Sequence, residues 1–107
     1  MTKKFNHSET ELELLRNIEE NPALTQRQMA KDLGMSLGKT NYLIRALLEK
    51  GQIKIGNFRK SGNKLGYLYV ITPKGIEARR KLTLLFLKLK SDEFDKLKKQ
   101  MELIENQ

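Results

Sequence analysis

The chain predicts a mainly α fold with one small β-hairpin and a long C-terminal helix. Three observations predict it: two short capped helical segments hinged at a glycine over 25–51, a change to strand-like alternation over 52–71, and a run over 73–105 with no proline beyond Pro73. With 107 residues, 38% of them hydrophobic, the chain has material for one small domain with a modest core.

The elements can be justified in order. Ser8 followed three residues later by Glu11 is a capping-box pattern, and Leu12, Leu15 and Ile18 make a short helical stripe that stops before Asn21-Pro22. Thr25 with Gln28 repeats the capping pattern, so a second helix is expected to begin at Gln26. Met29, Ala30 and Leu33 give it a narrow apolar face, and Gly34 can adopt the left-handed conformation that ends a helix. Ser36 is a good N-cap for a third helix over 36–50, and Gly51 stands where a glycine closes one. Thr40, Leu43, Ile44 and Leu47 fall at helical spacing toward a core. Lys39, Asn41, Tyr42 and Arg45 are read as the opposite face.

After Gly51 the period shortens. QIKIGNF places Ile53 and Ile55 on one expected face and Lys54 on the other, while GYLYVI supplies the aromatic and β-branched residues that suit strands. The intervening RKSGNKLG has turn chemistry at Gly62 and Asn63 and carries Arg59, Lys60 and Lys64, so a basic hairpin over about 52–71 follows the third helix. Thr72-Pro73 then reads as a helix start, with threonine as N-cap and proline where its missing N–H costs nothing.

A continuous helix over 73–105 would be about 50 Å long at about 1.5 Å per residue, more than a small domain can cover. Leu82, Leu85, Phe86 and Leu89 form a first apolar cluster, and Phe94, Leu97, Met101 and Ile104 recur at steps of three, four and three like the seam of a coiled coil. These residues are the candidate dimerisation surface. Ser91-Asp92 offers an alternative second helix start, under which the tail would fold back over its own core.

The formal net charge of +8 is unevenly spread: residues 51–90 hold ten Lys or Arg against one acidic residue, whereas 91–107 hold three against five. A charge run alone is an ordinary solvated surface. Behind a helix pair of this kind it suits phosphates. The acidic residues of ELELLRNIEE read as a solvated helical face. With no cysteine, disulfides and thiolate metal sites are excluded. The single histidine, His7, is placed in a loop ahead of the first helix, and no cofactor or metal is expected. Gly38-Lys39-Thr40 imitates the end of a phosphate-binding loop, but Leu33 occupies the position that needs glycine. The chain therefore predicts a binding protein and not an enzyme. The charged N-terminus MTKKFNHSETELELL and the lack of a long apolar run predict a cytoplasmic location with no membrane partner.

Two capped helices hinged at glycine, followed by a basic hairpin, are the parts of a winged helix-turn-helix over 1–72, with 73–107 as a dimerisation helix packed into the same small domain. In such a motif the second helix enters the major groove near its N-terminus, and the hairpin lies on the backbone or reaches the minor groove. The expected partner is double-stranded DNA. The DNA-contacting set comprises Thr25, Gln26 and Arg27 at the start of one helix and Ser36, Leu37, Lys39, Asn41, Tyr42 and Arg45 on the other. Arg59, Lys60, Asn63 and Lys64 complete it in the hairpin. A protein-interaction or RNA-binding module is the alternative use of the same fold.

The run LLRNIEENPALTQRQMAKDLGMSLGKTNYLIRALLEKGQIKIGNFRKSGNKLGYLYVITPKGIEARRKL resembles MarR-type winged-helix transcriptional regulators, in particular the small branch associated with exopolysaccharide gene clusters. SLGKTNYLIRALLEKG, NFRKSGNKLGY and TPKG carry most of the likeness. The resemblance implies a homodimer that represses by occupying a palindromic operator, in a family where some members respond to small ligands. It also implies groove-facing roles for Leu37, Lys39, Asn41, Tyr42 and Arg45 and wing roles for Arg59, Lys60 and Lys64. The sequence departs from the broad pattern in having no Asp-x-Arg element in the wing and no match to the long N-terminal helix of the usual dimer interface.

Overall fold

The computed structural model describes residues 7–21, 24–56, 59–61, 64–66 and 69–107. Three helices, α1 (His7–Glu20), α2 (Gln26–Leu33) and α3 (Leu37–Glu49), precede strands β1 (Ile53–Ile55), β2 (Arg59–Ser61), β3 (Lys64–Gly66) and β4 (Tyr69–Ile71), and a single 33-residue helix α4 (Pro73–Glu105) follows. The mainly α class with one hairpin and a long terminal helix is the fold observed.

Local chemistry sets most boundaries. At the start of α2, the Gln28 amide donates to Thr25 Oγ1 at 3.1 Å and the Thr25 amide donates to Gln28 Oε1 at 3.0 Å, closing the capping box. Gly34 ends the helix with φ of 63°, and Met35 N donates back to Ala30 O at 2.8 Å. Ser36 caps α3 by accepting from Lys39 N at 3.1 Å. Past α3, Gly51 takes φ of 72° while its amide and that of Gln52 bond the carbonyls of Leu48 and Leu47. Helix α1 departs from expectation. It already includes His7 and Ser8, so Ser8 does not cap it, and Glu11 is engaged instead with Lys50 Nζ at 2.8 Å. Pro22 lies outside the described residues.

The core is one cluster built from Leu14, Leu15 and Ile18 of α1, Met29 of α2, Leu43, Ile44 and Leu47 of α3, Ile53 of β1 and Tyr69 of β4. Thr40 is fully buried in α3, and its hydroxyl donates to Ser36 O at 2.9 Å, so the polar group enters the interior already satisfied. In the hairpin, β1 pairs antiparallel with β4 (Ile53 opposite Ile71) and β2 with β3 (Arg59 opposite Gly66). Ile53 and Ile55 share a face as expected, but their burial differs: Ile55 is 49% exposed while Ile53 is buried. Alternation puts both on one side of the strand, but only Ile53 lies over the core.

Helix α4 is continuous through Ser91-Asp92, which excludes both the separate second helix and the folded-back tail. Thr72 is its N-cap, accepting from Gly75 N at 3.1 Å and donating from the same hydroxyl to Gly51 O at 2.6 Å. Gly75 is buried because the first turn of α4 lies directly on the backbone at Gln52. A Cβ there would collide with the Gln52 carbonyl oxygen and come within 2.7 Å of Ile71 Cγ1. Only the first part of α4 packs on the domain. The stripe of Gly75, Ala78, Leu82 and Phe86 is buried or half-buried, and α1 runs alongside it, tied by Arg79 to Glu19 and by Lys90 to Glu9 at 3.8 Å. Every residue over 87–107 is exposed. The long axis is accordingly 66 Å, and the radius of gyration of 17.8 Å exceeds the roughly 13 Å of a compact chain this long. Among the described residues no helix is long and apolar enough to cross a membrane.

The contact at Gly75 yields a stability test. Gly75→Ala should lower the unfolding free energy by about 2 kcal/mol in urea titration through overpacking against backbone. Gly38→Ala, where a Cβ meets nothing within 4 Å, should leave stability unchanged or raise it by up to about 1 kcal/mol.

Candidate nucleic-acid interface

Helix α3 carries the largest concentration of candidate residues, and its two sides are set by one periodicity. Thr40, Leu43, Ile44 and Leu47 are buried, which fixes the rotation of the helix about its axis. The side directly opposite then consists of Gly38, Tyr42, Arg45 and Glu49, all exposed, with Tyr42 at 63%. Leu37 and Lys39 in the first turn are also exposed, beside Ser36, whose side chain is used by the cap. The first turn has no acidic residue to oppose an anion.

Asn41 is placed differently from its neighbours. It sits on the flank toward α2, half-buried, and its Nδ2 donates to Gln26 Oε1 at 3.1 Å. Gln26 in turn donates from Nε2 to the hydroxyl of Tyr69 at 2.8 Å. One hydrogen-bonded line thus joins β4, the first residue of α2 and the outer half of α3. Gln26, which the expected DNA-contacting set groups with Thr25 and Arg27, is occupied at both amide atoms within the protein. Thr25 and Arg27 are exposed at the N-terminus of α2, and with Gln28 and Lys31 they line a shallow depression of about 460 Å³. Tyr69 escaped the reading of the sequence, where GYLYVI signalled only strand propensity. No local pattern links residues 43 positions apart.

In the hairpin, Arg59 and Lys60 belong to β2 and Lys64 to β3, with Ser61 opposite Lys64 in the register. Asn63 and the turn at 62–63 lie outside the described residues. The basic block over 51–90 does not form one surface. Lys54, Arg59, Lys60 and Lys64 belong to the hairpin, whereas Lys74, Arg79, Arg80, Lys81, Lys88 and Lys90 are on α4. Of the latter, Arg79 and Lys90 pair with α1. The acidic side chains of α1 are therefore not simply a solvated face: Glu9 and Glu19 each hold a cation from α4, and Glu11 holds Lys50 just past the end of α3. Counting charge by segment overstated the positive surface next to α3.

Of the proposed dimerisation residues, Leu82 and Phe86 are half-buried on the stripe that follows α1, whereas Leu85, Leu89, Phe94, Leu97, Met101 and Ile104 are exposed. Leu84, Leu87 and Leu103 are exposed as well.

Comparison with known proteins fits this arrangement. The family described as winged helix-turn-helix DNA-binding matches residues 7–54, which span α1 through the start of β1. Among solved structures, the complex of MepR from Staphylococcus aureus with DNA is similar at 20% identity, covering 94% of this chain and 76% of that one with a TM-score of 0.61. The fold is a winged helix-turn-helix. MarR of Staphylococcus aureus, solved with salicylate and kanamycin, is similar at 21% identity over 80% of this chain with a TM-score of 0.63. FabT of Streptococcus pneumoniae in complex with DNA is similar at 22% identity over 79% of this chain with a TM-score of 0.56. The winged-helix chain spans 56% of the length of that MarR and 58% of that FabT. No curated protein sequence matches it.

The cap that orients the outer helix of the winged helix-turn-helix can be tested directly. Ser36→Ala leaves Lys39 N without its side-chain acceptor and should cost about 1 kcal/mol, measured as a lower unfolding midpoint.

Proposed function

We propose that the protein is a sequence-specific, double-stranded-DNA-binding transcriptional regulator acting as a homodimeric repressor in the cytoplasm. The observation that carries the proposal is the rotation of α3: four buried residues on one side leave Tyr42 and Arg45 directly outward, with Leu37 and Lys39 exposed in the first turn. Those side chains, together with Asn41, supply hydrogen-bond donors and acceptors and apolar contact suited to base edges. Exposed Thr25 and Arg27 at the start of α2 and the basic hairpin bearing Arg59, Lys60, Asn63 and Lys64 are assigned to the flanking phosphates, the hairpin also to the minor groove. The match to a DNA-binding winged-helix family, and the DNA complexes of the similar MepR and FabT, support the reading. The likeness of SLGKTNYLIRALLEKG and TPKG to the exopolysaccharide-associated MarR branch supports placing it there.

Dimerisation is assigned to the exposed part of α4. Phe94, Leu97, Met101 and Ile104 form an uncovered seam over about two heptads, and Leu85 and Leu89 extend the apolar surface toward the domain. A two-fold pair would set two α3 helices about one DNA turn apart, roughly 34–36 Å, and would read a palindrome. The fold carries no enzymatic role in this reading. A protein-interaction or RNA-binding use is what the following tests would reveal instead.

Selection of bound duplexes from a random pool should enrich a palindrome; enrichment of single-stranded RNA over duplex would overturn the proposal. Arg45→Ala should lose sequence preference, whereas Lys60→Ala should weaken all duplexes alike and reduce the salt slope of log K by about 1. Mobility shifts in rising salt separate the two. Leu97→Asp should sediment as a monomer at concentrations where the parent is a dimer, and a variant that stays dimeric removes the seam.

A further inference from the structure

Gly38 lies on the outward side of α3, and nothing in the fold accounts for a glycine there. Gly34 and Gly51 take positive φ, and Gly75 lies against the Gln52 carbonyl, so each of those three needs the absence of a side chain. Gly38 does not. It is exposed in regular helix, its φ is not positive, and a Cβ added to it meets nothing within 4 Å. The cap beside it makes no demand either, because Ser36 bonds Lys39 N through its own hydroxyl. Glycine is a poorer helix former than any residue but proline, since it gives up the most backbone freedom on ordering. Folding alone would favour alanine at this position. We infer that Gly38 is where the backbone of α3 itself meets DNA, its missing side chain setting how deeply the helix enters the major groove. The inference rests on the DNA-binding reading above and adds to it a residue that has no side chain to read with.

The rotation of α3 puts Gly38 where a missing side chain counts most. With Thr40, Leu43, Ile44 and Leu47 buried, Gly38 falls directly opposite them, in line with Tyr42 one turn on and Arg45 two turns on. Along that line it is the member closest to the helix N-terminus, the end whose residues approach base edges in a helix-turn-helix. Leu37 before it is 42% exposed and Tyr42 after it 63%, so the outward surface at 38 is bare backbone between two large side chains. The fit of a helix in the groove is close: the major groove is about 12 Å wide, and a helix with its side chains is about 10–12 Å across. At the point of deepest entry, one methyl group therefore decides the distance.

That distance governs the neighbours. Tyr42 and Arg45 share the outward line, so a Cβ that lifts the first turn of α3 draws both of them back from the bases assigned to them. A hydrogen bond of about 3 Å does not survive a retreat of about 1 Å. Gly38 thus determines specificity through side chains other than its own.

The test uses the full chain, a duplex selected by the parent from a random pool, and an unrelated duplex of the same length. Gly38→Ala should melt at or above the temperature of the parent. Its affinity for the selected duplex should nevertheless fall about tenfold, and Gly38→Val should lose more. Affinity for the unrelated duplex should change less than about threefold, because non-specific binding rests on phosphates and not on depth in the groove. In a double-mutant cycle, Arg45→Ala should cost the Gly38→Ala protein much less affinity than it costs the parent, since that contact is already loosened. A Gly38→Ala variant that melts well below the parent would show that the glycine serves folding and would overturn the inference. So would undiminished affinity for the selected duplex, an equal loss on both duplexes, or an Arg45→Ala cost that is the same in both backgrounds. Each of these results leaves DNA binding by the parent intact. A parent that enriches no duplex overturns the DNA-binding reading and the inference together.

Discussion

The close approach of α4 to the backbone at Gln52 is the constraint on which the architecture turns. Within a few residues, the last turn of α3 closes at Gly51, β1 begins, β4 ends and α4 starts. Thr72 is joined to both sides of this point: its amide bonds Gln52 O at 3.0 Å, and its hydroxyl bonds Gly51 O at 2.6 Å. Gly75 lets the first turn of α4 settle onto the same carbonyl. The exit of α3 and the entry of α4 are thus set by the same handful of backbone atoms, and the direction of the 33-residue helix cannot change without straining the end of α3. In the proposed dimer, the geometry of the α4 pair would consequently govern the separation of the two α3 helices.

Much of this was legible in the sequence because it is local. Caps are decided by three or four consecutive residues, so Thr25 with Gln28, Gly34, Ser36, Gly51 and Thr72-Pro73 each announced a boundary that the structure contains. The same rule misled at Ser8 and Glu11, where the pattern is present but the helix runs on past it and Glu11 is taken by Lys50. A capping box is a competition among partners, and a distant lysine does not appear in a four-residue window. Ile55 shows a second limit. Periodicity reports which side of a strand a residue occupies, whereas burial depends on how far the core extends beneath it, and here the core ends at Ile53.

The candidate site was legible in outline for the same reason. The buried face of α3 follows from apolar spacing, and the outward strip is its complement. What spacing could not supply is which polar residues are already engaged. Gln26 and Asn41 look equivalent to Arg27 and Arg45 in the sequence, yet the first two are bonded to each other and the last two are exposed. Charge behaved similarly. A count over 51–90 treats ten cations as one patch, while folding sends six of them to α4 and sets Arg79 and Lys90 against acids of α1. The ten cations are thus divided between the hairpin and α4 rather than gathered in one patch.

Helix α4 combines two regimes of stability. Its first turns are held by Gly75, Ala78, Leu82 and Phe86 and by ion pairs to α1, so their helicity is supported by the core. Beyond Lys90 every residue is exposed, and no such support exists among the described residues. Isolated helices of about 12–15 residues are marginal in water, because nucleation is costly and propagation adds little per residue. This segment gains from continuing an already nucleated helix, but it still displays Phe94, Leu97, Met101 and Ile104 to solvent. Covering that seam would remove apolar area from water and favour the helical state at once. Pairing of two chains and ordering of the end of α4 are in that case one equilibrium. Occupancy of a two-fold DNA site would then depend on protein concentration through the state of this helix as well as through the contacts made by α3.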